Sequence, residues 1–380
     1  MNYTILILGG GLQAISTARS LKDAGYRVGI FLNKKDYSSS SSALDFKIID
    51  SAKIDVEKIQ TIIREYGIHV IIPMSDNMAL FLSKYKRNIQ QTTSCKVAVP
   101  DYETIELAAD KIKLMGVCKK FGFPHPVTIA DTELSAELIR SLKFPVLIKP
   151  NRSVGARGIK KIDSPSELIE SLPIIQQQFG GCHIQEFIAG QLPYYNVMIY
   201  RDQYGNILNH TILKIIRFYP LSGGSSCLCE SVEIPELVEL CKNVLEVMHY
   251  VGFADFDILQ TINGEYKIIE INPRVPASLR GAAISGVNFP ALIAADCLGI
   301  KHPTNIYTPG KTLRYLGLDL MWFISSPNRF HTYPSWLQFF GKNIFYQEGG
   351  WKDWKPMLKA LINNFNKIEI KHGRIRKKQI

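Results

Sequence analysis

Two periods of apolar residues alternate along the first hundred positions. Continuous apolar runs, YTILILG at 3–9, RVGIFLN at 27–33, FKIID at 46–50 and HVIIPM at 69–74, predict buried strands. Between them, LQAISTARSLKDAG at 12–25 and VEKIQTIIREYG at 56–67 carry the spacing of amphipathic helices. CKVAVP at 95–100 predicts a closing strand. This β-α-β order predicts a small parallel sheet with helices on its faces.

The pattern then changes. A helical stretch from Tyr102 to about Phe121 ends at Gly122-Phe-Pro-His-Pro126. FPVLIKP at 144–150, a glycine-containing loop NRSVGARG, and IKKI read as a strand, turn and returning strand. SPSELIESL at 164–172 opens with a capping pattern and predicts a helix, followed by the strand CHIQEFI at 182–188. YNVMIYRD and ILNHTILKIIRF form a hairpin around Tyr204-Gly-Asn, and FADFDILQT and EYKIIEINPR form another around Asn263-Gly264. PELVELCKNVLEVMHYVG at 235–252 and NFPALIAADCLG at 288–299 are helical. The remainder is aromatic, with Trp322, Trp336, Trp351 and Trp354, and ends in KIEIKHGRIRKKQI, six Lys/Arg against one Glu.

The 380 residues allow two or three domains, and 46% hydrophobic with 21% charged residues is an ordinary globular composition. No run of eighteen apolar residues occurs, so a spanning helix is not expected. MNYTILILGGG reads as a first strand, not as a signal peptide. Seven scattered cysteines without C-x-x-C predict reduced, mostly buried thiols and a cytoplasmic location. A net charge of +11 raises the question of nucleic acid, but no recognition motif accompanies the basic tail, so no nucleic-acid partner is expected. A basic, aromatic end leaves room for peripheral contact with anionic lipid or a phosphorylated substrate.

Three stretches carry candidate chemistry. Gly9, Gly11 and Ala14 fit the G-x-G-x-x-G/A spacing of a dinucleotide fingerprint. A nicotinamide cofactor would further require an acid at the end of the second strand, which instead ends Phe31-Leu32-Asn33-Lys34-Lys35. In IIEINPR, Glu270 and Asn272 project to one face of a strand, and Asp257 on the partner strand is the natural third member. Two carboxylates and an amide oxygen suit Mg²⁺ held together with nucleotide phosphates. Arg274 can meet an anionic substrate or acyl phosphate. In VLIKPNRSVGARGIKKI a strand ends at Lys149 and is followed by a loop with Gly155 and Gly158, whose amides can close over phosphates; no G-K-[ST] follows, so it is not a Walker A loop.

The order of these motifs resembles the ATP-grasp superfamily. Asp110-Lys111, VLIKP with its glycine loop, IQEFIAG, GFADFDI and EINPR occur in family order over roughly residues 1–300. The chain is similar to one half of the carbamoyl-phosphate synthase large subunit and to single-chain carboxylate–amine ligases. The resemblance implies an α/β and α+β fold: a Rossmann-like pre-ATP-grasp domain at 1–105 and a two-lobed ATP-grasp domain at 106–305, with its lid lobe at about 120–187. An aromatic and basic extension follows at 306–380.

The resemblance also implies roles. Lys111 and Lys149 would contact ATP phosphates, Ser153 to Gly158 (including Gly155 and Ala156) would form the lid loop, and Glu186, Phe187 and Ile188 the hinge along adenine. Asp257, Glu270 and Asn272 would hold Mg²⁺, with Mn²⁺ as an alternative, and Arg274 and Lys149 would be catalytic. Tyr194 falls where the family commonly has the ribose-binding Glu, and Asp257 where the synthase has Gln. Weaker substrate candidates are Gly10, Gly11, Arg217, Gly223, Gly224, Ser225 and Arg280.

The implied reaction is ADP-forming ligation of a carboxylate and an amine, either of them a small molecule or linked to a lipid or sugar. A setting in cell-surface polysaccharide or peptidoglycan-type synthesis and a homo-oligomeric state are the accompanying expectations. The alternatives are an NAD(P)-dependent oxidoreductase, from the opening glycines, and a non-catalytic nucleotide-binding protein, from Tyr194.

Overall fold

The structure is a computed structural model that describes residues 3–152, 158–188, 193–221, 223–349, 353–356, 358–359, 368–371 and 374–377. Its first part consists of β1 (Thr4–Leu8), α1 (Leu12–Asp23), β2 (Arg27–Leu32), β3 (Phe46–Ile49), α2 (Val56–Tyr66), β4 (Val70–Pro73), α3 (Asp76–Thr92), β5 (Lys96–Val97), α4 (Tyr102–Ala109) and α5 (Lys111–Phe121). The five strands form a parallel sheet in the order β3-β2-β1-β4-β5. All five residues of β1 are buried, as a central parallel strand covered on both faces requires. The 17-residue α3 is not among the elements the apolar pattern predicts. Its buried Ala79, Leu82 and Ile89 are too sparse to announce it, and Ser75 caps it by accepting from Met78 N. The helical stretch from Tyr102 is two helices, because Asp110 leaves helical geometry and caps α5 through Ile112 N and Lys113 N.

A four-stranded antiparallel sheet follows. It contains β6 (Thr128–Ala130), α6 (Ala136–Ser141), β7 (Val146–Pro150), β8 (Lys160–Ile162), α7 (Pro165–Phe179) and β9 (Cys182–Glu186), with strand order β6-β9-β7-β8. The expected cap of α7 is present: Ser164 Oγ accepts from Glu167 N at 3.3 Å, and Asp163 N donates to the Glu167 carboxylate at 3.0 Å. This lobe has its own small core around Val146, Ile148, Ile162, Leu168 and Ile184.

The largest sheet is built from β10 (Tyr194–Arg201), β11 (Ile207–Tyr219), β12 (Ser225–Val232), α8 (Pro235–Val247), β13 (Gly252–Gln260), β14 (Tyr266–Asn272), α9 (Leu279–Ile284), α10 (Phe289–Leu298), β15 (Thr312–Arg314), α11 (Leu316–Ser325) and β16 (Ile344–Tyr346). Its order is β14-β13-β10-β11-β12-β15-β16. One face packs α5 and α8 through Leu114, Met115, Leu237 and Leu245. The other face shares a core with the parallel sheet, where Ile5, Val70 and Leu32 join Met198, Leu213 and Phe289. The stretch after residue 306 thus supplies two strands and a helix to this sheet. Its last described part is a hairpin of β17 (Ile368–Lys371) and β18 (Arg374–Lys377).

All seven cysteines are free thiols, six of them buried. Among the described residues, no helix is long and apolar enough to cross a membrane.

Candidate functional site

The carboxylates come together through strand register. Asp257 on β13 lies opposite Glu270 on β14, and Asp255 lies opposite Asn272. A strand presents every second residue on one face, so all four side chains share it. Asp257 and Glu270 are half-buried, while Asp255 is only 2% exposed. Asp255 is a site residue the sequence reading missed. The signal was there: it is two residues before Asp257 in the same strand.

Cations reach this face from two directions. Lys111, the first residue of α5, pairs with Glu270 at 2.7 Å. It is placed there by the Asp110 cap and by its own N–H, which donates to Asn151 O at 3.3 Å. Lys149, on β7 of the four-stranded sheet, is 8% exposed and donates to Gln185 Oε1 at 2.6 Å. Burial pulls its ammonium down to about 8; Glu270 and Asp257 hold the charge on and Lys111 opposes it. The four-stranded sheet thus brings Lys149 toward the carboxylates of the large sheet.

The ionisation of the pair follows from these neighbours. Burial works against a charge on Glu270, but Lys111, a hydrogen bond from Asp257 and Lys149 hold its pKa at about 2. Asp257 is pushed up, first by burial, then by Glu270 and Asp255. Glu270 is thus the ionised member and Asp257 the protonated one. Burial takes Asp255 up to about 8 even against Arg274, and one of its oxygens, Oδ1, is buried with no hydrogen-bond partner among the described residues.

Asp257 is also hydrogen-bonded by Asn196 Nδ2 and by the Tyr194 hydroxyl. Tyr194 stands edge-on to Phe218 with ring centroids 5.6 Å apart, so its phenol is fixed toward the carboxylates. Asn272 donates to Asp255 at 3.4 Å, and its amide oxygen accepts from Arg274 at 3.1 Å. Arg274 also pairs with Asp76, the first residue of α3, at 3.2 Å, which ties the site to the parallel-sheet region.

The residues expected at the hinge connect two sheets. Glu186, the last residue of β9, accepts from Lys267 of β14 at 2.9 Å and from Val127 N at 3.1 Å. Phe187 lies under the Lys161 ammonium at 5.2 Å, and Ile188 follows it, half-buried. Gly158 is required by packing and conformation: its φ is +74°, and an added Cβ would stand 2.7 Å from Pro150 Cγ. Ser153, Gly155 and Ala156 lie outside the described residues. A second residue missed from the sequence is His183, paired in register with Lys149 and fully buried. Its Nδ1 meets Asn151 Oδ1 at 2.9 Å, and burial with Lys149 and Lys111 nearby drives its pKa down to about 3, so it is a neutral imidazole.

The weaker substrate candidates are placed elsewhere. Gly11 N donates to Asp36 Oδ1 at 3.2 Å, and a Cβ on Gly10 would lie 2.7 Å from the same oxygen. Asp36 also accepts from Ser38 N and Ser38 Oγ. An acid does follow the second strand, beyond Lys35, and it folds back over the glycine turn. Arg217 is 3% exposed and pairs with Asp319 at 3.3 Å. Arg280 donates to Tyr346 O at 2.7 Å. Gly223 and Gly224 are exposed between β11 and β12, and Ser225 is the exposed first residue of β12.

Among the described residues, no three His, Cys, Asp or Glu side chains are grouped to hold a metal by themselves. A nucleotide-bound Mg²⁺ needs only one or two carboxylates, the phosphates supplying the rest. Asp257 and Glu270 fit that need: they are opposed, half-buried and share a proton that a divalent cation would replace.

Lys111 and Lys149 thus face the carboxylates of the large sheet, one from α5 and the other from the four-stranded sheet. Residues 108–278 match the family described as ATP-grasp domain, and this part of the chain is an ATP-grasp domain. The chain is 23% identical over 322 residues to D-aspartate ligase from Enterococcus faecium (strain Aus0004), spanning 77% of this chain and 76% of that protein. It is 23% identical over 301 residues to the carbamoyl phosphate synthase large chain of Thermoplasma acidophilum, covering 73% of this chain but 28% of the synthase chain. Its fold is similar to that of the biotin carboxylase domain of Hydrogenobacter thermophilus 2-oxoglutarate carboxylase, solved with MgADP, ADP and bicarbonate. That likeness has a TM-score of 0.67 and 18% identity, over 82% of this chain and 73% of that one.

Proposed function

We propose that this protein is an ATP- and Mg²⁺-dependent ligase that joins a carboxylate to an amine. The observation that carries the reading is the Lys111–Glu270–Asp257 cluster facing Lys149 across the lobes. Lys111 and Lys149 are the point charges for the nucleotide phosphates, and Glu186 to Ile188 line the adenine edge. Asp257 and Glu270 would hold Mg²⁺, whose contribution is to neutralise phosphate charge. Asn272 joins them once its amide oxygen is released from Arg274.

The substrate carboxylate attacks the γ-phosphorus of ATP, and ADP departs. The amine nitrogen then attacks the acyl carbon of the acyl phosphate, phosphate departs, and the amine loses a proton. Arg274, next to this face, is suited to steady the anionic acyl phosphate. Fixed lysines supply most of what such a transfer requires, because its transition state needs positioning and charge compensation. The buried Lys149 costs desolvation in the free protein, and an arriving phosphate offsets that cost.

Similarity to D-aspartate ligase over three quarters of both chains supports an amino acid as one reactant. The aromatic and basic final stretch suits a bulky anionic acceptor, such as a carrier-linked precursor of a cell-surface polymer, made where ATP is supplied in the cytoplasm. The test is ADP release from purified protein with ATP, Mg²⁺ and pools of carboxylates and amino acids. ADP formation that requires both a carboxylate and an amine is expected. Tight NAD(P)H binding without ATP binding would overturn the proposal.

A further inference from the structure

Outside the cleft, the most unusual electrostatics lie where the final third of the chain meets the large sheet. Arg217 on β11 and Arg314 on β15 are 3% and 1% exposed, and Asp319 on α11 is fully buried between them. Arg314 Nε donates to Asp319 at 2.6 Å, and Arg217 donates to both oxygens of the same carboxylate at 3.3 and 3.4 Å. Two guanidiniums thus share one carboxylate, leaving one positive charge in excess. The Cys227 thiol beside them stays neutral, because burial pushes its pKa up.

Part of the excess is met by the surroundings. Arg217 lies over the Trp322 ring at 4.7 Å, and Arg314 over Phe339 at 4.2 Å and Trp336 at 5.1 Å. Carbonyls of Pro334, Trp336 and Gln338 accept from the guanidiniums. These are partial charges against a whole one, and a buried uncompensated charge is costly. Moreover Arg217 Nε is buried with no acceptor among the described residues.

A cavity of about 40 Å³ opens against both arginines, walled also by Leu228, Thr312, Ser335 and Gln338. A water needs only some 10–15 Å³ of such volume, so the space takes one small ion and no organic substrate of ordinary size.

We propose that the cavity between Arg217 and Arg314 binds a small monovalent inorganic anion, with chloride the abundant candidate. The ion supplies the missing negative charge and fastens the segment 334–338 to the large sheet. It is independent of the ATP cleft and of the ligase reading.

The probe is bromide. Crystals of the full chain soaked in sodium bromide should show an anomalous peak within hydrogen-bonding distance of both guanidiniums. At constant ionic strength, replacing sodium gluconate, which is too large to enter, by sodium chloride should raise the melting temperature by about 2 °C. Arg217→Met leaves a neutral Arg314–Asp319 pair and should abolish that rise. Equal melting temperatures in chloride and gluconate, or a rise that survives in Arg217→Met, would overturn the proposal. So would a cavity without bromide, and that result stands even if the variant does not fold.

Discussion

Two places in this molecule hold carboxylates against features that look made for nucleotides, and they behave oppositely. At the glycine turn after β1, Asp36 is supplied with donors: Gly11 N, Ser38 N and Ser38 Oγ. At the β13–β14 hairpin, Asp255, Asp257 and Glu270 are crowded together, with Asp255 Oδ1 unpaired and Asp257 holding a proton. A group already satisfied within the chain has little to gain from a ligand. One that is crowded or unpaired gains from any partner that brings opposite charge. The fingerprint-like turn is closed by its own anion, and the open electrostatic demand lies in the ATP-grasp domain.

Substitution at each place breaks the comparison in a different way. Glu270→Ala removes the ionised member of the pair, and ATP turnover in the ligase assay should fall by about a thousandfold or more with the fold intact by circular dichroism. Retention of full substrate-dependent turnover would dismiss the site. Lys149 sharpens the same side. Its free-enzyme pKa is about 8, so kcat/KM for ATP should fall roughly tenfold per pH unit above 8 as the ammonium is lost. A flat profile to pH 10 would show that its charge is not used.

Asp36→Ala acts on the closed side. It should cost about 1–2 kcal/mol in denaturant unfolding, by leaving Gly11 N and Ser38 without their acceptor, and should leave turnover near that of the native protein. A large loss of turnover at unchanged stability would return the glycine turn to the active site. The smallest effect concerns Glu348, a buried carboxylate far along the chain that accepts from Gly317 N. It is 5% exposed, Oε2 has no partner among the described residues, and burial pushes its pKa up to about 7. Its unfolded value is about 4.3, so its ionisation penalises the native state. That penalty is absent below about pH 4.3, grows between there and 7, and is complete above 7. Glu348→Gln should therefore raise the melting temperature by about 2–4 °C at pH 8 and by less at pH 5. An equal gain at both values would assign the effect to something other than ionisation.

Much of the site was legible because it depends on short-range rules. Strand alternation put Glu270 and Asn272 on one face, and the Asn263-Gly264 turn paired them with the strand bearing Asp257. The Ser164 cap fixed where α7 begins. What escaped was set by partners distant in the chain. Arg217 looked available for a substrate anion; Asp319, 102 residues later, takes it into the core. Tyr194 falls where the resemblance puts a ribose-binding Glu, and only the register of β10 with β13 turns its hydroxyl onto Asp257. His183 showed no motif, and only the pairing of β7 with β9 sets it beside Lys149.

By itself, then, the sequence determined the parallel sheet, the two hairpins at Tyr204-Gly-Asn and Asn263-Gly264, the order of the motifs and the strand positions of Lys149, Asp257 and Glu270. These follow from backbone periodicity and turn chemistry, which act within a few residues. Only the tertiary structure decided which charges remain in demand. Whether Asp36, Arg217 or Asp257 has its needs met depends on desolvation and on neighbours from remote segments, and no local pattern encodes either.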